Sequence, residues 1–115
     1  MANRLNILFL FADQMHAFAM GCMGTEDIHT PNLDKMAEEG ILFRNCYSNA
    51  PVCTPFRATL VSGRYGSQTS TLRNGTYIPE GTRTLAASLN DGGYRTGWVG
   101  KWHLGLRYRR PDGSP

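Results

Sequence analysis

The chain has 115 residues, 41% hydrophobic and 18% charged, with a net charge of +3. That is enough for one small core, and the mixture is not that of a disordered chain. Basic residues are scattered until Arg107, Arg109 and Arg110 and do not interleave with aromatics, so no nucleic-acid partner is expected.

The first element is Leu5–Ala12, nearly all apolar. It is too short to cross a bilayer and no small-residue cleavage site follows it directly. Neither a membrane anchor nor a signal peptide is expected, and the expected location is cytoplasmic. A run of this kind fits a strand buried on both faces of a parallel sheet. It stops at Asp13-Gln14, which places a carboxylate at a strand's carboxyl end, the edge where open α/β sheets bind ligands. Asp13 can equally be a simple turn cap.

Ala17–Gly24 is small and Met-rich and predicts a short helix. Thr30 as N-cap, Pro31 at the first position and Gly40 at the end mark a longer one, with Leu33, Met36 and Ala37 as its buried stripe. Ile41–Tyr47 returns as a strand.

Cys53 then stands between Pro51 and Pro55. Thr54 suits an N-cap, Pro55 the first helical position and Gly63 the end, so Cys53 is predicted at a helix N-terminus, where amides and the dipole favour an anion. Arg57 follows one turn later on the same side. Two readings stand: a nucleophile in an anion-handling site, or a small buried hydrophobe. Cys22, Cys46 and Cys53 are odd in number and lack a metal-finger spacing, and a reduced compartment is the simplest assumption.

From Arg64 to Thr82 there is little periodicity, and Gly66-Ser67, Asn74-Gly75 and Glu80-Gly81 are turn signals, so a long surface loop over an active site is expected. Thr84–Gly92 is a short helix with Leu85 and Leu89 on one side. Tyr94–Gly100 reads as a second inner strand that delivers Lys101 and His103 to its end. Taken singly, Lys101 fits a solvated charge and His103 a structural histidine. The order of elements predicts an α/β fold. If its strands are parallel neighbours, Asp13, Cys53, Arg57, Lys101 and His103 converge on one edge.

Cys53-Thr54-Pro55-Phe56-Arg57 matches the Cys-X-Pro-X-Arg signature of sulfatases, and Gly100-Lys101-Trp102-His103-Leu104-Gly105 matches the family's second signature. His29–Asp34, Asn45–Val52 and Ser62–Tyr65 resemble the stretches around them. The resemblance runs from Asn6 to Gly105. It implies an alkaline-phosphatase-like α/β fold, a mixed or mostly parallel sheet between helices, with residues 1–115 as an incomplete N-terminal portion of the catalytic domain.

The resemblance also implies a sulfuric ester hydrolase of arylsulfatase type. Cys53 would be converted to formylglycine by a formylglycine-generating enzyme. One hydroxyl of the hydrated aldehyde would attack the sulfur of a sulfate ester, and loss of a proton from the other would expel sulfate. Asp13 and Cys53 would contact a divalent metal, calcium first and magnesium or manganese as alternatives. Arg57 would hold the diol and support the metal carboxylates. Lys101 would bind a sulfate oxygen, and His103 would assist deprotonation of the diol.

The chain departs from the family pattern in three places. Gln14 stands where a second aspartate is usual and offers the metal only a neutral oxygen. Phe56 replaces a frequent serine. The later Asp, Asn or His metal ligands and a further Lys and His have no counterpart. The isolated chain is therefore expected to be inactive and marginally stable. A phosphonate monoester or phosphodiester hydrolase with the same signature, or a non-catalytic truncated product, is the alternative. Arylsulfate, choline sulfate and sulfated carbohydrates all fit as substrates.

Overall fold

The computed structural model describes residues 5–105. The chain divides into two compact units, Met1–Cys46 and Tyr47–Pro115.

In the first unit Leu5–Ala12 forms no regular element, and Leu8 is 81% exposed. The rings of Phe9 and Phe11 lie 5.7 Å apart, on one side of the chain as residues two apart in an extended segment do. Within Ala17–Gly24 the helical part is a single 3-10 turn, Gly21–Met23, closed by Gly24 at φ 89°. Helix α1 spans Pro31–Glu39. Thr30 is at its N-cap, but the hydroxyl does not cap α1. It accepts the Gly21 N–H at 2.9 Å and donates to Asp34 Oδ1 at 2.8 Å. Asp34 Oδ1 also accepts the Cys22 N–H at 2.7 Å. One hydroxyl and one carboxylate thus tie α1 to the 3-10 turn, and the Thr30 hydroxyl is the main reason the Asp34 carboxyl is held below the usual carboxylate range. Leu33 and Met36, expected to be buried, are exposed, because α1 packs only on the 3-10 turn within this unit.

The second unit is built on α2, Cys53–Ser62. Its N–H of Gly63, at φ 64°, returns to the Thr59 carbonyl at 2.8 Å and ends the helix. Helices α3, Gly66–Thr69, and α4, Leu85–Asp91, both pack on α2. The core is Ala58, Val61 and Leu104, with Ile78 and Trp102 against it. The expected long loop is in part a folded turn. The Thr71 N–H reaches the Gly66 carbonyl at 2.9 Å, and the buried hydroxyls of Thr69 and Thr71 meet at 2.5 Å. Helix α4 starts as the sequence indicates, with Thr84 Oγ1 accepting the Ala87 N–H at 3.2 Å.

Among the described residues there is no strand, so the expected sheet is not seen. Leu5–Ala12, Ile41–Tyr47 and Tyr94–Gly100 are all irregular. Apolar patterning makes a segment fit for a sheet but supplies no ladder partner, and a strand exists only through its ladder. Ile41 is 82% exposed and Val99 fully so. No helix among the described residues is long and apolar enough to cross a membrane. Arg107, Arg109 and Arg110 lie outside the described residues.

Candidate active site

Helix α2 begins two residues earlier than Thr54 as N-cap would set it. Val52 is the N-cap, with extended backbone, and Cys53 is the first helical residue. Thr54 is fully buried, and its hydroxyl and its N–H are both engaged outside the helix. Its hydroxyl donates to the His103 carbonyl at 2.9 Å, and its N–H donates to Asn74 Oδ1 at 2.9 Å. Of the other early amides, Pro55 has no N–H and Phe56 bonds to the Val52 carbonyl at 2.9 Å. The expected anion nest of helix amides is thereby reduced to the Cys53 N–H, and positive charge near the sulfur comes from side chains.

Those side chains are held by the backbone of residues 101–104. Arg57 is 3% exposed, and its Nη1 donates to the Lys101 carbonyl at 2.5 Å. The same carbonyl accepts Trp98 Nε1 at 3.2 Å, and Trp98 meets Trp102 edge to face at 5.0 Å. Lys101 Nζ donates to Cys53 Sγ at 3.5 Å. His103 has φ 54°, in the left-handed region where side chains are rare. Leu104 follows it directly into the core. Carbonyls 101 and 103 and the Leu104 side chain therefore fasten this stretch to α2, while Lys101 and His103 themselves stay exposed.

Cys53, Arg57, Lys101 and His103 thus belong to one unit. Direct bonds link Arg57 to Lys101 and Lys101 to Cys53, and Thr54 links His103 to the helix. Asp13 and Gln14 lie in the other unit, exposed in a bend directly after the apolar run. Three contributors escaped the sequence. Thr54 looked like a cap, Asn74 like half of a turn signal and Trp98 like a strand residue. Their partners are 20 and 49 residues away for Thr54, and no local pattern carries such pairing.

The oxygens of Asp13 and Gln14 suit a hard cation, but a thiol at Cys53 does not. No group of three or more His, Cys, Asp or Glu that could hold a metal is present among the described residues. These residues alone do not complete a coordination shell. A groove of about 300 Å³ between the end of α2 and the start of α4 is lined by Leu60, Arg64, Arg83 and Leu85 among others, and none of the four site residues reaches it.

The sulfatase family model matches residues 5–112. The chain is 39% identical to the ulvan-active sulfatase of Formosa agariphila, over 86% of this chain and 19% of that protein. It is 36% identical to human arylsulfatase D, over 91% of this chain and 20% of that protein. A crystal structure of the Bacteroides fragilis protein yidJ, described as a sulfatase, superposes with a TM-score of 0.72 at 38% identity, covering 79% of this chain and 21% of that one. The chain spans about a fifth of the length of these relatives. With two signature stretches brought into contact at Cys53 and a match over nearly all its residues, the chain belongs to the sulfatase family.

Proposed function

We propose that this chain carries the nucleophile-bearing part of a sulfuric ester hydrolase whose full protein cleaves sulfate monoesters to an alcohol and sulfate. The observation that carries this reading is the Lys101 ammonium 3.5 Å from Cys53 Sγ. A cation at that place neutralises the sulfate as it approaches and the charge that develops on its oxygens. Formylglycine made from Cys53 by a formylglycine-generating enzyme would supply, as its hydrate, the oxygen nucleophile that a thiol cannot. An oxygen in place of Sγ fits this position, because Lys101 Nζ already donates there. Arg57 sets the height of Lys101 by holding its carbonyl. His103, fixed through Thr54, is the proton carrier for the second half of the reaction.

A divalent cation, calcium by family resemblance, would take oxygens of Asp13 and Gln14 from this chain, with Gln14 as the weaker ligand. The described residues do not make its full shell. In the full protein the segments at 5–12, 41–47 and 94–100 would be inner strands of an α/β sheet, which accounts for their exposed apolar side chains.

The test uses the full-length protein purified from its native host. Mass spectrometry of the Cys53 peptide is expected to show formylglycine, and the sulfate ester of a given phenol is expected to be cleaved faster than its phosphate monoester, phosphodiester or phosphonate monoester. Complete conversion of Cys53 with no sulfate ester hydrolysis overturns the reading. Preference for the phosphodiester or phosphonate replaces it with the hydrolase of that class.

A further inference from the structure

We propose that Asn74 is a positioning residue for the Cys53-centred reaction, acting as the N-terminal cap of α2 from a remote turn. The proposal rests on the sulfatase reading only for the reaction being served. Helix α2 has Val52 at its own N-cap, a side chain with no acceptor. The second helical residue, Thr54, is completely buried, so water cannot satisfy its N–H. Asn74 Oδ1 accepts that N–H at 2.9 Å from 20 residues downstream. The turn that presents Asn74 is itself built. The Thr76 hydroxyl donates to the Arg73 carbonyl at 2.7 Å, and Gly75 sits at φ 81°, a conformation that favours glycine. Thr54 passes the constraint on. The residue whose N–H is held by Asn74 donates its hydroxyl to the His103 carbonyl. Cys53, one position earlier in the same turn, and His103 are thereby fixed by one residue, and Asn74 holds that residue from outside.

The experiment compares Asn74→Ala, Asn74→Asp and Thr76→Val in the full-length protein. Asp keeps a side-chain acceptor and Ala removes it. Val at 76 leaves Asn74 in place and loosens its turn. Three quantities are read: hydrogen exchange at the Thr54 amide, and kcat and KM on an aryl sulfate. In Asn74→Ala the Thr54 amide is expected to exchange at least tenfold faster. Its kcat should fall about tenfold to a hundredfold, the scale of small misplacements of reacting groups, with KM nearly unchanged. Asn74→Asp should restore Thr54 protection and most of kcat, and Thr76→Val should shift both in the direction of the alanine variant. If Asn74→Ala does not fold, the Asp and Val variants still decide. Unchanged Thr54 exchange in the alanine or valine variant overturns the proposal. So does an aspartate variant with protected Thr54 and kcat as low as that of alanine. Wild-type protein inert to sulfate esters sinks the sulfatase reading instead, while Thr54 exchange still decides whether Asn74 is the cap.

Discussion

The ammonium of Lys101 donates to the sulfur of Cys53 at 3.5 Å across 48 residues of sequence, and the carbonyl of the same lysine receives the guanidinium of Arg57. Lys101 therefore meets α2 twice, once by its exposed side chain and once by its backbone. Because the backbone bond survives side-chain replacement, Lys101→Met isolates the ammonium. In the full-length protein kcat on an aryl sulfate should drop by about 10²–10³, the usual cost of one lost donor to a developing anion, with stability nearly unchanged. Lys101→Arg should not rescue it, since a planar fork does not occupy the place of a compact ammonium. A methionine variant with wild-type kcat removes Lys101 from the chemistry.

Arg57 is buried and reaches a main-chain carbonyl rather than open water. Arg57→Lys keeps the charge but not the planar head that spans to residue 101. Urea unfolding should show a loss of about 1.5–3 kcal/mol, the range for a hydrogen bond made by a charged group. Activity should fall with it, because Lys101 loses its anchor. Equal stability and rate in the lysine variant would mean that the bond to carbonyl 101 contributes nothing.

In the first unit the Asp34 carboxyl lies below the usual carboxylate range, with the Thr30 hydroxyl as the leading cause and the Cys22 amide as a further one. A carboxyl depressed in the folded state adds stability above its unfolded pKa and loses that contribution as pH falls through the depressed value. Urea midpoints of wild type and Asp34→Asn should therefore differ most near neutral pH and converge on acidification. A gap that widens toward low pH contradicts this sign.

A Cβ at Gly21 would stand 2.7 Å from Asp34 Oδ2 and 2.9 Å from the Ile28 carbonyl. One of those neighbours is backbone and the other is held by two hydrogen bonds at its partner oxygen. Gly21→Ala should cost about 1–3 kcal/mol, as overpacking does. A thermal shift of the full-length protein checks it.

Helices α1, α2 and α4 were legible in the sequence because their signals are local, whereas α3 lies inside the stretch expected to be a loop. Gly40 and Gly63 end α1 and α2, and Thr84 caps α4. The start of α2 was not, because Thr54 has the right chemistry for a cap while its hydroxyl is used by His103, a partner 49 residues away. The same reason hid Asn74. The apolar stretches are sheet-like in pattern but form no strand among the described residues, because pattern specifies a face and not a neighbour. At the site, Cys53, Arg57, Lys101 and His103 stood out as chemistry-bearing types at element ends. What joins them is largely main-chain carbonyls, which every residue has and no sequence displays.

His103 combines a left-handed backbone with an imidazole side chain. A non-glycine residue there is strained by about 1–2 kcal/mol. Glycine would release that strain, so His103→Gly should keep or raise the melting temperature while abolishing hydrolysis by the full-length protein. Selection for stability alone would empty this position of its side chain. The molecule carries a small permanent instability at residue 103, and directed evolution for thermostability without an activity screen should find it among the first positions to give way.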